Sequence, residues 1–159
     1  MAYKTSAGIL LWDLTSDDTL LVFIAHMGGP YWAGQDRGAW SLPKGEYDAS
    51  EQPLQAARRE FAEEIGVELP DIELDLLGSF PTHSGKIITA FAGRYPSDKL
   101  SFVASNTFHL EWPPHSGRRR EFPEMDGAAW LPARAAKTKL MSGQVQIVEA
   151  LEAKLAGGP

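Results

Sequence analysis

The sequence contains no cysteine, which excludes a disulfide framework, a thiolate metal site and a thiol nucleophile together. It has no apolar run of membrane-spanning length, and its opening residues, Met1-Ala2-Tyr3-Lys4-Thr5, lack the apolar stretch of a secretory signal. No internal repeat or low-complexity linker interrupts it. Surplus positive charge is missing too: the formal net charge is -6 and the isoelectric point about 5.2. Non-specific nucleic-acid binding, which depends on neutralising phosphates with excess Lys and Arg, is therefore not expected. One end of a nucleic acid, gripped by a local basic loop, stays compatible with that balance. What remains is a chain of 159 residues with a hydrophobic fraction of 43% and a mean hydropathy of -0.23. It is long enough to bury a sizeable core, and residues 1–159 are expected to form one cytoplasmic domain that makes no contact with a membrane.

Residues 45–67, GEYDASEQPLQAARREFAEEIGV, concentrate like charge. Glu60, Glu63 and Glu64 stand at i, i+3 and i+4 and crowd one flank of a helix. Such pairs repel by roughly 0.2–0.5 kcal/mol each in an isolated helix, so folding alone gains nothing from them. A hard divalent cation does, because Mg²⁺ takes oxygen ligands and sits between carboxylates and substrate phosphates. The helix itself follows from the pattern. Ser50 is the expected N-cap, Glu51 suits the positive end of the dipole, and Pro53 fits the first turn. Leu54, Ala57, Phe61 and Ile65 recur at the helical period and predict a buried stripe. At about 100° per residue the mean direction of the acids lies about 110° from that stripe, so they should edge the core without entering it. Gly66 is placed to end the helix through a left-handed turn.

Elsewhere the chain reads as strands at Ser6–Trp12, Leu20–Ala25, Glu73–Phe80, Lys86–Tyr95 and Ala128–Leu131. Trp40-Ser41-Leu42-Pro43 reads as a short strand before a Pro-Lys-Gly turn. Residues 144–155 read as an amphipathic helix with Val145, Val148, Leu151 and Leu155 inward, and Gly157-Gly158-Pro159 as a frayed end. Strands mixed with two main helices predict an α/β sandwich.

The segment 45–67 resembles the Nudix box, G-x5-E-x7-R-E-U-x-E-E-x-G-U with U an apolar residue. Gly45, Glu51, Arg59, Glu60, Glu63, Glu64 and Gly66 fill the fixed positions, and Phe61 and Val67 the apolar ones; Phe61 departs mildly from the usual aliphatic. The resemblance implies a Nudix α/β/α sandwich with a mixed β-sheet. It also implies an Mg²⁺- or Mn²⁺-dependent pyrophosphohydrolase whose metal is held by Glu60, Glu63, Glu64 and the backbone carbonyl of Lys44. Pro123-Glu124 before the strand that carries Trp130 resembles a stretch of the dinucleoside tetraphosphate hydrolases and RNA 5′-pyrophosphohydrolases of this superfamily. Glu124 then becomes a further metal ligand or the general base, with Glu121 a nearby competitor. Glu64, Glu60 and Glu124 all remain candidates for that base. Arg59 is expected to orient a glutamate through a bidentate pair, and Glu51 to be structural.

Substrate choice is sought outside the box. Tyr31 and Trp32, in the loop Gly28–Gly38, either stack on a base or close the lip of a core. Residues 109–120, HLEWPPHSGRRR, read as a loop in which Arg118, Arg119 and Arg120 either hold outer phosphates or are solvated. Lys44 and Lys86 are further phosphate candidates. His26, His83 and His115 carry no functional signal. Pro81 falls near a marker of ADP-ribose enzymes, but the carboxylate of Glu124 has a mechanistic role and outweighs a proline at a strand boundary. The expected substrate is a nucleoside diphosphate linked to another moiety: first a dinucleoside polyphosphate or nucleoside triphosphate, then ADP-ribose or a nucleotide sugar. A non-catalytic nucleotide sensor and an RNA 5′-end binder are the other classes considered.

Overall fold

The computed structural model describes residues 4–157; Gly158 and Pro159, expected to fray, lie outside them, as do Met1, Ala2 and Tyr3. Two neighbouring strands set the frame: β1 (Lys4–Leu14) and β6 (Lys86–Arg94) run parallel from Lys4↔Lys86 to Trp12↔Arg94. With β2 (Leu20–Met27), β3 (Trp40–Ser41) and β5 (Asp75–Pro81) they form a sheet in the order β3-β2-β1-β6-β5, whose other pairings are antiparallel. β4 (Lys44–Glu46) adds to β1 and β9 (Met125–Pro132) adds to β2, completing a mixed, seven-stranded sheet.

β1 shares one edge between two partners. Its C-terminal part pairs with β2 from Trp12↔Val22 to Leu14↔Leu20, while Ser6, Ala7 and Gly8 pair with Glu46, Gly45 and Lys44. The Leu42-Pro43 segment therefore crosses from one strand to the other, and the Pro-Lys-Gly turn expected from sequence is the start of β4.

Both faces of the sheet are covered, which explains the unbroken apolar run of β1. Alternate residues Ala7, Ile9 and Leu11, with Phe23 and Ala25, pack under α1 (Pro53–Ile65). Leu10, Val22 and Ile24 face the opposite way, against α2 (Ala133–Lys139) and α3 (Val145–Leu155) through Ala136, Ile147, Val148 and Leu151. The expected sandwich is thus observed. The short α2 was not read from sequence; its Ala-rich turn is too brief to show a period.

The expectations for α1 need correcting at its start. The N-cap is Gln52, without a side-chain cap, while the Ser50 hydroxyl donates to Asp48 instead. Leu54 is 36% exposed, and the buried line runs Ala57, Phe61, Glu64, Ile65. The helix is rolled so that Glu64 faces inward, where its carboxylate accepts the Lys44 backbone N–H at 3.1 Å. The acids thus do not all stay at the edge of the core. The far end is as expected: Gly66 adopts φ 82° and its N–H donates to the Ala62 carbonyl at 2.9 Å.

Residues 109–120 are a loop only at their centre, 112–118, and both ends are strand. β7 (Thr107–Glu111) and β8 (Arg119–Pro123) form a separate two-stranded ribbon in register from Thr107↔Pro123 to Glu111↔Arg119. The alternation Phe108, Leu110 and Phe122 was the signal for it.

Candidate active site

α1 and β4 meet face to face, and the Glu60 carboxylate stands where a side chain at position 45 would lie. A Cβ there would lie 2.0 Å from the carboxyl carbon of Glu60. The Glu60 carboxylate therefore fills a cradle that any side chain at 45 would occupy. Around it opens a cleft of about 370 Å³ lined by Lys44, Gly45, Glu60, Glu63, Glu64 and Lys86, and by Asn106, Glu124 and Met125 from the opposite wall.

The opposite wall is stitched to α1 through main-chain atoms. Asn106 N–H donates to the Glu63 carbonyl at 2.7 Å, and Glu124 N–H donates to the Asn106 carbonyl at 2.8 Å. Gly28 N–H then donates to the Glu124 carbonyl at 2.8 Å. Glu124, expected from sequence as the additional acid, is in this way brought beside the box glutamates. Its competitor Glu121 lies on the ribbon opposite His109, 3.6 Å from the imidazole Nε2.

Arg59 forms its bidentate pair with Glu51, Nε to Oε2 at 2.8 Å and Nη2 to Oε1 at 2.9 Å. Its remaining nitrogen, Nη1, donates to Glu60 at 2.8 Å and to Glu63 at 3.2 Å. One guanidinium thus holds three carboxylates, and these bonds, that to Glu51 foremost, keep it protonated more firmly than a free guanidinium. Its hydrogen bond also lowers the proton affinity of Glu51.

Burial acts the other way on the inner acids. It is the largest influence on Glu64, whose pKa rises to about 8, against the lowering effects of the Lys44 N–H and ammonium. Burial likewise raises Glu60, partly offset by Arg59. Lys44 is lowered, chiefly by burial, with Glu64 opposing. Among the described residues no three His, Asp or Glu side chains converge in ready-made metal-binding geometry, since Arg59 draws Glu60 and Glu63 to itself. The donor set nonetheless fits a hard divalent cation. It is all oxygen, it is clustered in one cleft, and the ionised form of its buried member, which burial disfavours, is the form a cation would stabilise.

A second cavity of about 680 Å³ adjoins the first, sharing Ser6, Lys44 and Lys86 with it. Ile88, Leu140, Met141 and Val145 give it apolar surface, and Arg37, Lys137, His83 and Gln144 give it a polar rim. Of these only His83 had been noticed in the sequence, and it was set aside. Arg37 and Lys137 come from separate elements and had no local signal. Gln144 is 2% exposed: its Oε1 accepts the Leu42 N–H and its Nε2 donates to the Ser41 hydroxyl, both at 2.9 Å. Tyr31, Trp32 and Arg118 line neither cavity. Tyr31 is 62% exposed and leans edge-on against Trp112 with ring centroids 5.3 Å apart.

A mixed sheet between helices, with the glutamates of one helix facing the glycine of a short strand at a cleft, defines a Nudix-type domain. The chain belongs to this family: residues 2–151 match the NUDIX domain. It is 37% identical over 107 residues to an RNA pyrophosphohydrolase of Mesorhizobium japonicum, an alignment covering 58% of this chain and 56% of that protein's length. Its fold is similar to that of a C. elegans Ap4A hydrolase in a binary complex (TM-score 0.62, 17% identity, 96% of this chain and 99% of the other). It is similar also to the NUDIX domain of Shewanella oneidensis NrtR complexed with ADP ribose (TM-score 0.61, 16% identity, 98% and 90%).

Proposed function

We propose that this chain is a divalent-metal-dependent Nudix pyrophosphohydrolase that cleaves a nucleoside diphosphate linked to another moiety. The observation that carries this reading is the convergence of Glu60, Glu63, Glu64 and Glu124 on one cleft whose rim bears Lys44 and Lys86. Mg²⁺ or Mn²⁺ bound by these glutamates and the Lys44 carbonyl would neutralise phosphate charge and make a water more acidic.

The residues themselves divide the remaining work. Arg59 is a positioning residue, fixing the rotamers of Glu60 and Glu63 while Glu51 anchors it. Lys44 and Lys86, shared by the two cavities, attract the phosphate chain where it passes from one to the other. The larger cavity takes the nucleoside, its apolar surface covering the base and Arg37 and Lys137 meeting further phosphates or sugar oxygens. Glu64, Glu60 and Glu124 all border the cleft, and any one of them could accept the proton of the water that attacks phosphorus.

Dinucleoside polyphosphates and nucleoside triphosphates are the leading substrates. The relative named RNA pyrophosphohydrolase supports an RNA 5′ end as a second reading of the same chemistry. The test is turnover of a panel of dinucleoside polyphosphates, triphosphates, 5′-triphosphorylated RNA, ADP-ribose and nucleotide sugars with Mg²⁺ or Mn²⁺. Hydrolysis that disappears in Glu63→Gln is expected. Tight nucleotide binding without turnover of any member would replace the enzyme with a nucleotide sensor.

A further inference from the structure

The two faces of the β7–β8 ribbon differ in chemistry. Side chains alternate along a strand, and the register pairs Phe108 with Phe122 and Leu110 with Arg120. The Trp112 N–H donates to the Arg118 carbonyl at 2.9 Å, carrying the same pairing one step further toward the tip. Phe108, Leu110, Trp112, Arg118, Arg120 and Phe122 therefore share one face. Two contacts show where it points: the Phe108 ring lies against Gly29, and Trp112 meets Tyr31. Both partners belong to the loop after β2.

This face carries no carboxylate. Arg118 and Arg120 are exposed on it, Arg120 sits 5.6 Å from the centre of the Phe122 ring, and Tyr31 presents most of its surface to solvent beside them. On the opposite face Arg119 stands across from Glu111 in register, and His109 lies 3.6 Å from Glu121. A chain of net charge -6 thus places two exposed arginines beside aromatic rings on one side of a single ribbon. That ribbon leads to the acid cleft. β8 ends at Pro123, directly before Glu124, so the path from Arg118 to the cleft is roughly 20 Å at about 3.3 Å per residue.

We propose that this face, with Tyr31, binds the single-stranded body of an RNA whose 5′ phosphates lie in the acid cleft. Aromatic rings stack on bases without regard to sequence, and guanidinium groups stack and pair with phosphate. The face offers both kinds of group together, with the rings of Phe108, Trp112 and Phe122 beside the guanidiniums of Arg118 and Arg120. The proposal rests on the RNA-end reading of the active site for its direction, but the binding surface can be tested apart from it.

The experiment measures anisotropy of a labelled 5′-hydroxyl oligoribonucleotide, which presents no 5′ phosphate to the cleft, over a series of salt concentrations. Wild type is expected to bind in a salt-dependent manner. Arg118→Glu/Arg120→Glu should weaken binding by about tenfold or more. The neutral Arg118→Gln/Arg120→Gln pair should lower the salt slope by about 1.4, at about 0.7 per single-strand phosphate contact. Arg119→Glu, on the opposite face of the same strand, should change affinity by less than about threefold. Absence of wild-type binding, or equal losses in variants of the two faces, overturns the proposal. Turnover of 5′-triphosphorylated RNA of increasing length separates the two ideas. If no substrate is hydrolysed but RNA binding still depends on Arg118 and Arg120, the surface stands and the catalytic reading fails. If short substrates turn over while the oligoribonucleotide does not bind, the catalytic reading stands and the surface fails.

Discussion

At Glu64 the proposed chemistry and the stability of the fold pull in opposite directions. It lies 8% exposed on the inward face of α1, and its ionised form is disfavoured there. Glu64→Gln keeps an oxygen to accept the Lys44 N–H and removes a group whose ionisation burial penalises. The expected result is a kcat lowered by about 100-fold or more with a thermal midpoint no lower than wild type; kinetics and calorimetry on one preparation check both. Gly45 is the complementary case, where the missing Cβ is what matters. Gly45→Ala must displace the Glu60 carboxylate, which stands 2.0 Å from the new atom. A shift of about 1 Å in a reacting group can cost about 100-fold, so a fall of that order in kcat/KM is expected; a variant within about threefold of wild type would mean that Glu60 moves aside freely. These residues were legible because the Nudix box fixes both type and spacing. Arg37 and Lys137 were not, since their common cavity joins the loop after β2 to α2.

At the scale of elements, α1 is constrained where it ends. Its end is set by Gly66, whose φ of 82° suits glycine and whose surroundings leave no room for a side chain: a Cβ would come within 2.4 Å of the Ala104 carbonyl oxygen. Gly66→Ala is expected to lower stability by about 1–3 kcal/mol, combining left-handed strain with the steric conflict, as read from the urea midpoint. Activity should suffer as well, because the Val103–Asn106 segment that contacts this helix end also carries Glu124 into place. The helix was visible in sequence through its period and its glycine stop. Its roll was not, since Leu54 and Glu64 compete for the inward direction and only the partner strand decides. The ribbon was missed for a related reason: HLEWPPHSGRRR has the composition of a loop, and its alternation becomes meaningful only when β7 and β8 are laid side by side.

For the molecule as a whole, the parallel β1–β6 pair is the backbone of the sheet, and Asp13 locks its end. Its carboxylate accepts the Ser97 N–H at 2.8 Å, the Leu14 N–H at 2.9 Å and Arg94 Nε at 3.2 Å. The Ser97 bond is the chief influence lowering its pKa to about 2. The folded value lies below the unfolded one, so this contribution to stability is complete above the ordinary aspartate range and is lost as pH falls from about 4 toward 2. Urea midpoints measured between pH 5 and pH 2 should fall less steeply in Asp13→Asn than in wild type. An equal slope would remove Asp13 from the acid sensitivity of the fold.

The sequence by itself determined the acid helix, the order of the main strands and the class of chemistry to be tested, because each rests on short-range spacing along one element. It also held the Pro123-Glu124 signal for an additional acid. Tertiary structure decided what spacing cannot express: that Glu64 points inward, that Asn106 ties Glu63 to Glu124, and that Lys44 and Lys86 stand between two cavities. It also placed Tyr31 and Arg118 away from the cleft, Arg118 on one face of the ribbon and Tyr31 in the loop that meets it. The physical reason is the same throughout. Period and capping fix which side of a helix or strand is distinct, but which neighbour meets that side depends on contacts between residues far apart in the chain.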